Sequence, residues 1–319
     1  MTTKRDQSEL GQYIPAHYHY NMLNDSARMQ GFKAALDYAI RPGAKVLELG
    51  GGTGVLSFFA AQKAGKVWCV ERHPELVSAA RETLRMNLNG GKVEVIEADA
   101  FQYLPPEPVD VVICEMIHVA MLREKQIPVI ASFKERYLKK FGGPLPAFVP
   151  EALIQAVQPL QQSFDFEGYH APTILFQDPA SIHTSTRELA PPTIYQMVPY
   201  QEDLPMQCAW NGRVAIDQAG TLNALRFITK NVLAIVVEEQ RTIDWFSQYL
   251  IVPLAHPLTV KAGEQVQISF SYEAGASFDD LTSSVGVIQT GHGQRQADFC
   301  GVTQQSAHIK RAPLSAYIA

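Results

Sequence analysis

A set of acidic residues spaced around a glycine-rich loop carries the first chemical signal in this chain. The stretch "LELGGGTGVL" (47–56) puts Glu48 just ahead of Gly50, Gly52 and Gly54, which let the backbone approach a ligand closely. Glu71 closes "KVWCVE" (66–71) and Asp99 closes "KVEVIEAD" (92–99). The glycine spacing is not that of a dinucleotide fingerprint: the sixth place counted from Gly50 is Val55, and no Walker lysine follows. A carboxylate at Glu48 repels phosphate and favours a cation. One at Glu71 can take both hydrogen bonds of a ribose diol. Asp99 is placed to approach an adenine amino group. The set describes a positively charged nucleoside without phosphate, and S-adenosylmethionine (SAM) has that chemistry. The bland alternative is a row of solvated acidic loop ends; their order at successive strand ends argues against it.

Two further glutamates flank a largely apolar loop. In "CEMIHVAMLRE" (114–124) Glu115 leaves an apparent strand and Glu124 follows nine residues later. Taken alone they read as a strand-end cap and a solvated helix residue.

The elements that must position these groups follow from hydrophobic periodicity. Met29, Phe32, Leu36 and Ile40 recur at helical spacing over 24–41, with Asn24, Asp25 or Ser26 to cap the start and Pro42-Gly43 to end it. Buried strands are predicted at 45–50, 66–71, 92–99 and 109–115, with helices between them, one opening at Pro74. Alternating strands and helices imply a parallel sheet covered on both faces. After "GGPLPAFVP" (142–150) strand signals dominate: "VLAIVVEE" (232–239), "QYLIVPL" (248–254) and the alternating "VQISFSY" (266–272). The expected fold is therefore a Rossmann-like α/β domain over 1–146 and a mostly antiparallel β-barrel or sandwich over 147–319. Residues 163–212, rich in Pro, Gln and Tyr, break the strand pattern and read as a long excursion suited to dimer contacts.

Composition narrows the class. A chain of 319 residues with 46% hydrophobic content can bury a large core. The net charge of -5 offers no basic excess for nucleic acid. The four cysteines are scattered with no CxxC pair, so neither a zinc site nor a disulfide framework is expected. There is no apolar leader and no run long enough to span a membrane, which reads as a cytoplasmic protein.

"VLELGGGTGVL", "CVERHP" and "VIEADAF" resemble the first motifs of class I SAM-dependent methyltransferases. "HYHYNMLNDSARMQGFKAAL" (17–36) is similar to the cofactor-covering N-terminal segment of protein arginine methyltransferases, and "EMIHVAMLRE" matches their double-glutamate loop. "PLTVKAGEQVQISFSY" (257–272) is similar to part of their C-terminal barrel. The resemblance implies a SAM-dependent N-methyltransferase for an arginine guanidino group in a protein, a peptide or the free amino acid. S-adenosylhomocysteine is the implied product, and the implied assembly is a homodimer joined through an arm, for which 163–212 is the candidate. By position, Arg28 would pair with the cofactor carboxylate. His19 and Met22 would cover its reactive end, and Glu48, Gly50 and Gly52 would line its methionyl and ribose side. Glu71 would hold the ribose, and Asp99 or Ala100 would face adenine. Tyr13, Met116 and Trp245 fall near the substrate. Glu115 and Glu124 become a clamp, because two carboxylates can grip a planar, permanently charged guanidinium in forked hydrogen bonds.

The chain also departs from that family. Met116 and His118 replace the tryptophan and glycine usual in the loop. In "IDWFSQ" (243–248) Trp245 is retained, but Asp244 stands where the family has a histidine that orients an acid. Asp244 as a third carboxylate, or His118 as a substitute imidazole, are the two ways to fill that role. A methyltransferase for another acceptor and a non-catalytic SAM-binding partner are the competing readings.

Overall fold

A computed structural model describes residues 14–290. The chain opens with α1 (Ala16–Met22) and α2 (Ser26–Ala39). Asp25 starts α2 by accepting the Arg28 backbone N–H at 2.8 Å. Then come β1 (Lys45–Leu49), α3 (Val55–Ala61), β2 (Lys66–Glu71), α4 (Pro74–Arg85), β3 (Val93–Glu97), β4 (Val111–Cys114), α5 (Gln126–Phe141) and β5 (Ala147–Val149). The helix α4 shows why these elements form. Pro74 occupies its first turn, and Leu76, Val77, Ala80 and Leu84 recur on one face and are buried.

The five strands make a wholly parallel sheet in the order β3-β2-β1-β4-β5. The order reverses between β1 and β4. The crevice beyond the carboxyl ends of those two strands is where an open α/β sheet binds its ligand. The expected strands are found, with β3 ending two residues before Asp99, which lies in the following turn.

The remainder is antiparallel: β6 (Ala152–Gln162), β7 (Asp165–Phe166), β8 (Tyr169–His170), β9 (Leu175–Gln177), β10 (Thr186–Glu188), β11 (Thr193–Pro199), β12 (Gln207–Ala215), β13 (Gly220–Val236), β14 (Arg241–Phe246), β15 (Tyr249–Val260), β16 (Gln265–Glu273), α6 (Phe278–Ser284) and β17 (Gly286–Thr290). A curled seven-stranded sheet is built on β6, β13 and β15, and β12, β16 and β17 form a second sheet that completes the barrel. The stretch 163–212 does not break the strand pattern as expected. β9 pairs with β15, β10 and β11 pair with β6, and β12 pairs with β16; the β7–β8 hairpin stands apart as a two-stranded ribbon.

One apolar cluster joins the two halves. Leu47, Leu49, Val112 and Phe133 from the parallel half pack with Phe227, Leu250 and Phe270 from the barrel. The barrel is thereby held against the strand ends that carry the acidic residues. Among the described residues, no helix is long and apolar enough to cross a membrane.

Candidate active site

The crevice at the β1/β4 switch point is an open cleft lined by the β1, β2, β3 and β4 strand ends and by α1 and α2, the position where an open α/β sheet takes a nucleoside ligand. Its wall contains His19, Met22, Arg28, Glu48, Gly50, Gly52, Glu71, Asp99, Ala100, Glu115, Met116 and Glu124. The elements converge because of chain direction. Each parallel strand delivers its following loop to the same edge, and α1 and α2 close over that edge from the N-terminal side.

The glycine loop is shaped for close approach. Gly50 and Gly52 have φ of 80° and 52°, in the left-handed region that costs little only for glycine. A Cβ at Gly50 would meet Met116 Cγ at 2.8 Å, and one at Gly52 would meet His19 Nδ1 at 3.0 Å. Glu71 is held rigidly, accepting the backbone N–H of Gly52 at 2.8 Å, Arg72 at 2.7 Å and His73 at 2.8 Å. Asp99 accepts the Phe101 N–H at 2.9 Å.

Glu48 is buried on β1 and accepts the Ser57 hydroxyl proton from α3. Burial pushes its carboxyl up from its usual 4.5 to about 7, against the pull of the Ser57 bonds, Cys69 and Arg28. Ser57 is a partner that the sequence reading missed. A buried carboxylate one turn beneath a helix needs such a donor, and the nine-residue offset from Glu48 was the available signal.

Arg28 is 5% exposed and pairs through Nη2 with Glu115 Oε2, so it touches the double-glutamate loop directly. Its Nε is buried without a partner. That orphaned donor fits the carboxylate of a bound SAM, and with the glycine cradle and the fixed Glu71 it makes the residues present compatible with the cofactor. Glu124 lies on the same wall, and burial first and the Glu115 charge second raise its carboxyl well above the usual range; Arg28 and Arg123 only partly offset this.

Three expected residues are not at the cleft. His118 turns away and packs against Phe278 and the edge of Phe176, at 5.4 and 6.0 Å between ring centroids. Burial drives its imidazole down to about 4, so it is neutral at pH 7. Asp244 pairs with Lys230 at 2.9 Å and accepts the Thr242 hydroxyl at 2.8 Å, which neutralises it on β14. Trp245 packs on Phe32 and donates its indole N–H to Asp25 at 3.2 Å, so it braces α2 instead of lining the pocket. Tyr13 lies outside the described residues. Lys125, Phe101 and Val129 line the cleft without having been singled out from sequence.

Comparison with known proteins agrees with this geometry. Residues 46–142 match a family model described as a methyltransferase domain. An uncharacterised protein of Methanothermobacter thermautotrophicus is 29% identical over 269 residues, 84% of this chain and 97% of that protein. The arginine N(omega)-methyltransferase of Streptomyces achromogenes subsp. streptozoticus is 32% identical over 135 residues, which cover 41% of this chain and 37% of that enzyme. The matched segment therefore covers well under half of that relative. The solved structure of the Trypanosoma brucei PRMT1 enzyme-prozyme heterotetramer with AdoHcy superposes with a TM-score of 0.65 at 17% identity, over 79% of this chain and 86% of that one.

Residues 46–142, a parallel sheet with this switch-point cleft and a matching domain signature, are thus a methyltransferase domain whose cleft fits SAM as cofactor. With its appended barrel, the chain shares the fold of solved arginine methyltransferases, and part of its sequence is similar to the Streptomyces enzyme.

Proposed function

We propose that the protein methylates the guanidino group of an arginine-type acceptor, with Glu115 and Glu124 as the clamp. The observation that carries this is the pairing of two carboxylates on one cleft wall, against which a single buried arginine is spent on Glu115. The half of the clamp at Glu124 is partly buried, desolvated and under like-charge pressure from Glu115. An incoming guanidinium relieves both strains at once, because it brings a delocalised charge and a fork of donors. An acceptor without a fixed positive charge gains much less.

SAM supplies the activated methyl group. Arg28 would hold the cofactor carboxylate through Nε while keeping Nη2 on Glu115, tying cofactor and clamp to one side chain. Glu71 and the backbone of Gly50 and Gly52 would fix the nucleoside, and Asp99 with Ala100 would face its base. His19 and Met22 would close over the reactive end. Glu115 and Glu124 would orient one guanidino nitrogen in line for attack, which is most of the catalytic task. Their negative charge favours the acceptor as it gains charge. The nitrogen would form its bond to the methyl carbon as the carbon–sulfur bond breaks and S-adenosylhomocysteine leaves, and the nitrogen's proton would pass to ionised Glu124, whose raised carboxyl makes it the stronger base of the two.

A homodimer in the cytoplasm completes the proposal. The β7–β8 hairpin, with Phe166 44% and Tyr169 72% exposed, is the best-formed candidate contact in the 163–212 segment.

The test is Glu115→Gln and Glu124→Gln, assayed for turnover and, separately, for SAM binding. The clamp reading expects each to lose turnover by roughly two orders of magnitude or more while Glu124→Gln retains cofactor affinity. Normal turnover in both variants would remove the clamp from the mechanism.

A further inference from the structure

The chain between the two glutamates holds an improbable shape. Ala120, Met121 and Arg123 have φ of 58°, 55° and 58°. None is glycine, and each pushes its Cβ towards a carbonyl oxygen. Such a run persists only where surrounding contacts over-determine it.

Those contacts come largely from the barrel. The Arg123 N–H donates to Ala276 O at 2.8 Å, and the Gly275 N–H donates to Met121 O at 2.7 Å. At the apex, the Ala120 N–H donates to Thr229 Oγ1 at 2.9 Å. Behind the loop, Gln126 Nε2 donates to Cys114 O at 2.9 Å, fixing the point where the chain leaves β4. The Gly275-Ala276 grip is backbone to backbone and independent of side chains. The apex grip depends on one hydroxyl.

That hydroxyl is itself fixed. Thr229 is fully buried on β13, directly opposite Gln155 of β6. Its proton goes to Gln155 Oε1 at 2.8 Å, which leaves its lone pairs for Ala120. Gln155 Oε1 also accepts from Tyr195 at 3.4 Å, and the Tyr195 and Tyr272 hydroxyls meet at 3.2 Å. A chain of buried hydrogen bonds thus runs from the barrel interior to the midpoint of the double-glutamate loop. A buried polar chain of this kind is orienting, because each member's loss leaves another unsatisfied.

We propose that Thr229 is a positioning residue for methyl transfer: it holds the loop apex so that Glu115 and Glu124 face the acceptor together. This rests on the clamp reading above. It gives the barrel a part in setting the clamp geometry beyond covering the cleft.

The experiment compares Thr229→Val, which keeps the shape and removes the hydroxyl, with Thr229→Ser, which keeps the hydroxyl. Turnover is measured with L-arginine and an arginine-rich peptide, SAM affinity by calorimetry, and amide exchange across 115–124 by mass spectrometry on the SAM-bound protein. Thr229→Val is expected to lower kcat roughly 10- to 100-fold with SAM affinity within about two-fold of the parent. Exchange should rise in 115–124 and not across β6 and β13, and Thr229→Ser should restore both readouts. Unchanged loop exchange in Thr229→Val overturns the proposal. So does exchange that rises equally through β6 and β13, or a Ser variant that behaves like Val, since the side chain then serves only packing. If the parent enzyme methylates no guanidino acceptor, the clamp reading falls, and loop exchange still decides whether Thr229 holds the loop.

Discussion

Gly51 was not among the glycines assigned to ligand approach, yet it is the most tightly packed of the loop. A Cβ at Gly51 would lie 2.2 Å from Cys69 Sγ, with Cys69 Cβ at 3.8 Å. Ordinary contact begins near ~3.5 Å, so Gly51→Ala forces the glycine loop away from β2 by more than an ångström or displaces a buried side chain. Overpacking of this kind costs about 3 kcal/mol. Cys69→Ala removes one buried sulfur and costs about 1–2 kcal/mol. In the double variant the nearest atoms left to the new methyl are Val70 O at 3.7 Å and Cys69 Cβ at 3.8 Å, both at ordinary contact distance. Its total cost should therefore stay near that of Cys69→Ala alone, a coupling of about 3 kcal/mol in favour of the pair. Urea unfolding of the parent, both single variants and the double variant gives all four corners, and SAM titration of the same proteins reads the loop itself. Gly51→Ala should also weaken SAM binding, and Cys69→Ala should recover part of that loss. Additive stabilities, with no recovery in the pair, would refute the packing argument.

Other consequences are as specific. Glu48 has a folded-state value raised from 4.5 to about 7, so its stabilising contribution is full below about pH 4.5 and is lost as pH rises to 7, by about 3 kcal/mol. In cofactor-free protein, Glu48→Gln should therefore gain on the parent in urea stability between pH 5 and pH 8; a constant difference would contradict the buried, titrating carboxyl. Glu124 is raised in the free enzyme and must ionise to grip a guanidinium, so acceptor KM should fall as pH rises, and Glu124→Gln should flatten the profile. Trp245→Phe removes the indole donor to Asp25 and should cost about 1–2 kcal/mol together with a weaker grip on SAM through α2. Unchanged SAM affinity would limit Trp245 to ordinary packing.

The cofactor half was legible because its signals are local. Short apolar strands, glycines between strand and helix, and a carboxylate at each strand exit are all sequence-adjacent, and the parallel topology then gathers them at one edge. Asp99 still reached the cleft although β3 stops at Glu97, because the turn carries it there. The barrel half was less legible. β9 and β10 are three residues each, LFQ and TRE, and are fixed by long partners far along the chain, β15 and β6; runs so short carry no readable alternation. His118 was misplaced for a different reason. The loop reverses through left-handed Ala120, Met121 and Arg123, and no glycine or asparagine marked that reversal. Asp244 was misread because its neutralising partner, Lys230, is supplied by the neighbouring strand.

The most direct test of the account is methyl transfer from methyl-labelled SAM, with L-arginine, a decarboxylated guanidino analogue, an arginine-rich peptide and a lysine-rich peptide offered in parallel and the products identified after acid hydrolysis. The account predicts label in methylarginine or its guanidino counterpart, lost in Glu124→Gln protein that still binds SAM. Label confined to methyl-lysine or another product, or no transfer despite bound SAM, would contradict it.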